Sequence, residues 1–238
     1  MSEPAPDDRW RPALTELALV VTGMVLGVVV LFVLRTVGLW PSTTRGLGLV
    51  SGPVITGIAA AFYFFAQSRL DPVGPERNAA LRKVGFGRTA VVTLVAIVVA
   101  LAGSMALGAV LELLGAPATE QEGILEIVAA WRDGSDRSSM IILGVSAVVL
   151  APLAEECLFR GLLFARLRRC CGRPLAFAVS AVGFAAIHAN PAGLLIYAWL
   201  GVVFAFAMER TGRVGSAVVV HMGNNAFAFA ALWLGAGE

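Results

Sequence analysis

The sequence predicts an all-α fold: a polytopic helical membrane protein of about seven transmembrane helices around a central polar cavity. Three observations predict it. Apolar residues make up 58% of the chain and charged residues only 14%, against about 25% charge in an average soluble domain. Mean hydropathy is +0.82. Apolar runs of about 20 residues, enough to cross a ~30 Å hydrocarbon core, recur along the chain. Helices are expected rather than open sheets because a helix satisfies its own backbone hydrogen bonds in lipid.

The runs fall at about 15–34, 46–66, 89–111, 139–164, 174–190, 192–208 and 214–234, the fifth and sixth being short. Residues 1–12 form a polar, proline-containing tail, and residues 13–238 a single helical transmembrane domain. The first run follows Arg9-Trp10-Arg11-Pro12 and imitates a signal peptide. It is longer than a usual signal core and has no small-residue cleavage site before Arg35, so it is expected to be retained. A polar loop at 67–88 contains Pro72, Gly74 and Pro75, and a second spans 112–137. Within the latter, residues 118–131 are amphipathic and are expected to lie on the membrane surface or to form an ordinary short loop helix. Trp10, Trp40 and Trp233 fall near run ends, as interfacial anchors do.

Lys and Arg segregate with the alternation of these runs. Thirteen lie in the N-terminal tail and in the loops after runs two, four and six. Four (Arg35, Arg45, Arg132, Arg137) lie on the other side, and Arg160 is inside run four. This asymmetry predicts a cytoplasmic N-terminus and an outside C-terminus, in a cell inner or plasma membrane. The net charge of +2 is therefore a matter of topology. The basic residues are short membrane flanks rather than one aqueous face, so no nucleic acid is expected as a partner. The expected partners are membrane lipids and a membrane-associated peptide or protein. Three cysteines make neither a disulfide framework nor a zinc-type pair. Cys170 and Cys171 are adjacent on the side predicted to be cytoplasmic, where thiols stay reduced, and Cys157 is expected to be a small packing residue.

The candidate site residues are ionisable and polar groups inside apolar runs, which are costly in a bilayer and are functional candidates for that reason. Run four reads Leu150-Ala-Pro152-Leu-Ala-Glu155-Glu156-Cys-Leu-Phe-Arg160-Gly161. Pro152 removes a backbone donor and kinks a helix. Glu156 and Arg160, four apart, share a face and can pair, while Glu155 is rotated from Glu156 by about 100°. Both histidines of the chain, His188 and His221, also interrupt apolar runs, and Asn225 lies one turn beyond His221. The remaining apolar runs are expected to be free of ionisable side chains. At ~1.5 Å per residue, Glu155 lies about 16 Å from Arg166, His188 about 21 Å from Pro174 and His221 about 12 Å from Arg213. The three helices can thus bring their polar residues to one depth.

A carboxylate in a largely dry cavity suits a general base. A histidine can orient water, and a second histidine with an amide can donate to a developing oxyanion. Together they fit water attack on a carbonyl, without a covalent intermediate. No G-x-S-x-G occurs and no serine or cysteine has a base at a suggestive spacing, although Ser180, Ser216 and Cys157 stay open as nucleophiles.

The pattern E-E-x-x-x-R (Glu155, Glu156, Arg160), F-x-x-x-H (Phe184, His188) and H-x-x-x-N (His221, Asn225) resembles the CPBP intramembrane proteases, the CAAX-protease and bacteriocin-processing or Abi family. The segment Met208-Glu-Arg-Thr-Gly212 resembles the one that precedes that family's last motif, and the likeness covers about residues 139–230. It implies a hydrolase, an intramembrane endopeptidase acting on a membrane-associated or CAAX-like peptide. It implies Glu155 as the water-activating base with His188 beside it, His221 and Asn225 as oxyanion stabilisers, and Glu156 with Arg160 as supporting members. Family members were first described as metalloproteases, so zinc is a possible cofactor, although no H-E-x-x-H is present. A glutamate mechanism with no cofactor is preferred, because no carboxylate partner for either histidine is evident in the sequence. The alternatives are a non-catalytic scaffold or bacteriocin-immunity protein and, as a third class, a transporter or proton channel. The last would be expected to show paired halves with matching broken helices, which the sequence lacks.

Overall fold

The computed structural model describes residues 11–40, 45–70, 83–116 and 122–235. Among these residues the chain is helical, and eight helices can be followed: α1 (Arg11–Thr36), α2 (Arg45–Leu70), α3 (Phe86–Leu113), α4 (Glu122–Arg132), α5 (Arg137–Cys170), α6 (Arg173–Ile187), α7 (Leu194–Thr211) and α8 (Val214–Leu234). Six of them are long and apolar enough to cross a membrane, α4 and α6 being shorter. The protein is an integral membrane protein. Its outward surface is aliphatic, with Val21, Phe32, Val95 and Val98 all more than half exposed, a surface only hydrocarbon covers without cost.

The run at 174–190 is shorter than expected as a helix. It ends at Ile187, His188 caps it, and Ala189 turns the chain with φ 48°. The next helix begins only at Leu194. Run four is longer than expected, a 34-residue rod from Arg137 to Cys170. Asp136 starts it by accepting hydrogen bonds from the Ser139 N–H (3.0 Å) and from the hydroxyls of Ser139 (2.5 Å) and Ser138 (2.7 Å). These donors, the Ser139 hydroxyl foremost, hold its carboxyl low, at about 2. Two stretches of the rod, Ser146–Leu150 and Cys157–Phe164, are wound as π-helix, and they flank the glutamates on both sides. Wider turns of this kind redirect side chains and concentrate at functional sites.

Apolar burial gives helices little reason to associate when the surrounding solvent is lipid; close backbone approach and interhelical hydrogen bonds do more. The first pair shows this. Gly23 and Gly27 on α1 let α2 in so closely that a methyl group at either would sit about 3 Å from backbone atoms of Ala59 or Ile55. Gly201 of α7 meets α6 in the same way, 2.8 Å from the Ala181 Cα for an added Cβ. Gly201→Ala must therefore separate α6 from α7, because the atoms in the way are backbone. A loss of about 1–3 kcal/mol is expected, read as a lower unfolding temperature of the detergent-solubilised protein; an unchanged temperature would show that the contact is slack.

Contacts at the helix ends agree with an alternating path. Glu16 near the start of α1 is bonded to Gln67 near the end of α2 and Arg166 near the end of α5. The Arg213 side chain donates to the Val84 carbonyl, and the Val84 N–H to that of Thr211. At the opposite end, Arg35 donates to Ser51 and Trp131 packs on Trp233. The amphipathic α4 buries Ile127 and Val128 against Met140 and Leu143 of α5, so the described part of 118–131 packs on the bundle. Trp40 lies just beyond α1 and Trp233 in the last turn of α8, whereas Trp10 is outside the described residues.

Candidate active site

The structure brings run four, run seven and the end of run five together. Glu155, Glu156 and Arg160 of α5 are all buried, the last two completely. Glu156 and Arg160 pair as expected from their spacing, Nη1 to Oε1 at 2.9 Å. The other arm of the guanidinium, Nη2, donates to the Gly201 carbonyl of α7 at 2.9 Å. The guanidinium also lies over the Phe184 ring at 4.5 Å and the Phe204 ring at 5.3 Å. A planar cation with a fixed fork can serve a carboxylate, a carbonyl and aromatic faces together, where a lysine could not.

His221 is the third member of this ion-pair group. Its Nδ1 is 2.9 Å from the same Glu156 Oε1. A carboxylate can only accept there, so Nδ1 carries the proton and Nε2 is the free ring edge. The ring is stacked on Phe204 at 4.5 Å and meets Phe184 edge-on at 5.5 Å. Its Nε2 points toward Glu155, 4.0 Å from Oε2, which is beyond hydrogen-bond reach. Glu155 Oε2 is buried and has no hydrogen-bond partner. Glu156 Oε2 is likewise unpartnered, and the two adjacent carboxylates differ at the other oxygen: Glu156 Oε1 is committed to Arg160 and His221, and Glu155 is not tied down. The expectation that neither histidine has a carboxylate partner is corrected, since Glu156 is one. Sequence spacing could not show it, the pair being 65 residues apart.

His188 sits at the end of α6 with Nδ1 2.8 Å from the Phe184 carbonyl, which likewise places the proton on Nδ1 and leaves Nε2 as acceptor. Tyr197 of α7 stacks on it, ring centroids 4.0 Å apart and 21° from parallel. Phe184 touches both imidazoles, at 4.8 Å for His188 and 5.5 Å for His221, and so joins the two histidines. Asn225 is half-buried one turn along α8; its Nδ2 donates to the Ala147 carbonyl at 2.8 Å and its Oδ1 accepts from Asn224 at 3.2 Å.

Two further expectations are corrected. Cys157 is exposed on the outside of α5 rather than packed within the bundle, because the rotation that buries Glu155 and Glu156 turns it outward. The first run is not free of ionisable groups: Glu16 is buried and bonded to Arg166 Nε at 3.0 Å, to Gln67 Nε2 at 2.6 Å and to the Tyr63 hydroxyl. It is the second residue of the run, next to the polar tail. Among the described residues no three His, Cys, Asp or Glu side chains converge as metal ligands. An apolar groove of about 590 Å³, open at the outer surface, runs between α1, α5 and α6, lined by residues that include Val20, Val21, Met24, Phe159, Gly183 and Ile187. The Phe159 ring that lines it also lies 5.9 Å from the Arg160 guanidinium.

These features define a polytopic helical membrane protein with a carboxylate–arginine–histidine cluster sealed in its interior. Residues 137–227 match the family described as Type II CAAX prenyl endopeptidase Rce1-like. That segment contains all six candidate residues. The chain is also 29% identical over 114 residues to the Bacillus subtilis (strain 168) protein named "Putative membrane peptidase YdiL", an alignment covering 48% of this chain and 43% of the relative. The chain thus spans less than half the length of that relative. No solved structure matches.

Proposed function

We propose that the protein is an intramembrane endopeptidase that hydrolyses a membrane-associated or CAAX-like peptide with water activated by Glu155. The observation that carries this reading is the buried, untethered carboxylate of Glu155, beside a neighbour whose charge is already balanced. Glu155 takes a proton from water as the hydroxyl oxygen bonds to the peptide carbonyl carbon. It returns that proton to the leaving amine as the C–N bond breaks. His188, with Nε2 unprotonated, orients the water. His221, held by Glu156, turns Nε2 toward the same space and, when protonated there, donates to the oxyanion. The apolar groove that Phe159 lines suits a substrate that arrives with hydrocarbon attached or embedded. The match to a family described as CAAX prenyl endopeptidase supports the same substrate class. The side bearing thirteen Lys and Arg is the cytoplasmic side in this proposal, with the N-terminus on it, in the plasma or inner membrane.

The experiment is a comparison of protein termini in membranes from cells carrying wild type or Glu155→Gln. A cleaved terminus that vanishes in the variant identifies the substrate; identical termini would favour a non-catalytic scaffold or immunity protein. One observation favours a second reading. A histidine with a carboxylate behind it is also how zinc ligands are held, and Glu156 does this for His221. Exhaustive chelation followed by a cleavage assay separates the two. Unchanged cleavage is expected, and a loss restored by added zinc would make the enzyme a metalloprotease.

A further inference from the structure

Pro152 leaves a main-chain carbonyl without its donor, and the geometry identifies both that carbonyl and what replaces the donor. In the π-wound turn Ser146–Leu150, the Ala151 N–H reaches back five residues to the Ser146 carbonyl. The next bond in that register would run from residue 152 to the Ala147 carbonyl, but proline has no N–H. The Asn225 Nδ2 occupies this place, donating to the Ala147 oxygen at 2.8 Å from the neighbouring helix α8. Within a bilayer an open carbonyl costs several kcal/mol, and a side chain from an adjacent helix is one of the few remedies.

We infer that Asn225 is a positioning residue for the site: its amide closes the carbonyl that Pro152 opens, and so holds the π-wound turn from which Glu155 and Glu156 project. A π turn is one extra residue in an α-helix. Its collapse to α-helical register would rotate the residues beyond it by about 100°, enough to exchange the directions of Glu155 and Glu156. Glu156, with Arg160 turning alongside it on the same helix, would then leave His221 and the Gly201 carbonyl, and Glu155 would take its place. This role differs from direct donation to an oxyanion, which needs no proline at 152 and makes no use of the Ala147 carbonyl.

The test is a cycle of wild type, Asn225→Ala, Pro152→Ala and the double variant, purified in detergent. Pro152→Ala returns a main-chain N–H that can serve the Ala147 carbonyl. Asn225→Ala alone is expected to lower the unfolding temperature by about 2–6 °C, and most of that loss is expected to disappear when Pro152→Ala is present. Equal losses with and without Pro152 would overturn the inference. This arm is independent of the protease reading, so failure of that reading leaves it decisive. The second arm rests on that reading and follows cleavage. Recovery in the double variant is expected, whereas stability recovered with cleavage still abolished would place Asn225 on the reacting carbonyl instead.

Discussion

Glu155→Gln is expected to lower the cleavage rate by about 10²–10⁴-fold, the range supplied by a positioned general base, with no loss of stability. Glutamine has the same shape and cannot take a proton from water. The unfolding temperature should stay level or rise, because Glu155 Oε2 is buried with no hydrogen-bond partner and an untethered buried carboxylate is expensive to keep charged. Glu156 Oε2 is likewise buried without a partner, and what separates the two residues is Glu156 Oε1. Glu156→Gln weakens the bonds to Arg160 and His221 that hold α5, α7 and α8 together, so it should reduce activity and stability together. The measurement is single-turnover cleavage of the substrate found by the terminus comparison, alongside thermal unfolding of each variant. Wild-type cleavage by Glu155→Gln would remove this residue from the chemistry.

Arg160→Met should be the most destabilising single change in the site, by about 3–5 kcal/mol. A buried ion pair is not in itself a large source of stability, since desolvation cancels much of the attraction. Removing one partner is different, because the other charge stays in low dielectric. Without Arg160, Glu156 retains only His221, the Gly201 carbonyl loses its side-chain donor, and the Phe184 face loses its cation. For a chain of this size the unfolding temperature should drop by roughly 6–20 °C. Adding Glu156→Gln to Arg160→Met should recover a large part of the loss by removing the stranded charge. A double variant as unstable as the single one would show that Arg160 acts through packing rather than charge.

The helices were legible in the sequence because crossing a bilayer imposes length and hydropathy, and each run announced itself within about 20 residues. Their ends were less legible. The apolar run extends to residue 190, and only the backbone turn at Ala189 shows that α6 stops at Ile187 with His188 as its cap. The Glu156–Arg160 pair was also legible, being set by helical periodicity alone. Glu16 stands at the start of its run, beside the polar tail, and its burial depends on Tyr63, Gln67 and Arg166, none of them near it in sequence. Cys157 was misplaced because no local rule states which way a helix turns once π-wound segments interrupt its 3.6-residue period.

By itself the sequence determined a helical membrane protein, the ion pair on its fourth run, and which six residues are the candidates. Those follow from solvent cost and from spacing along one chain, both local quantities. Tertiary structure alone decided how the roles divide: that Glu156 serves Arg160 and His221, that Glu155 is left untethered, and that Asn225 bonds the Ala147 carbonyl. Each of those depends on which face of one helix meets which face of another. That is settled by glycine-sized gaps and buried hydrogen bonds between distant segments, and no hydropathy pattern contains it.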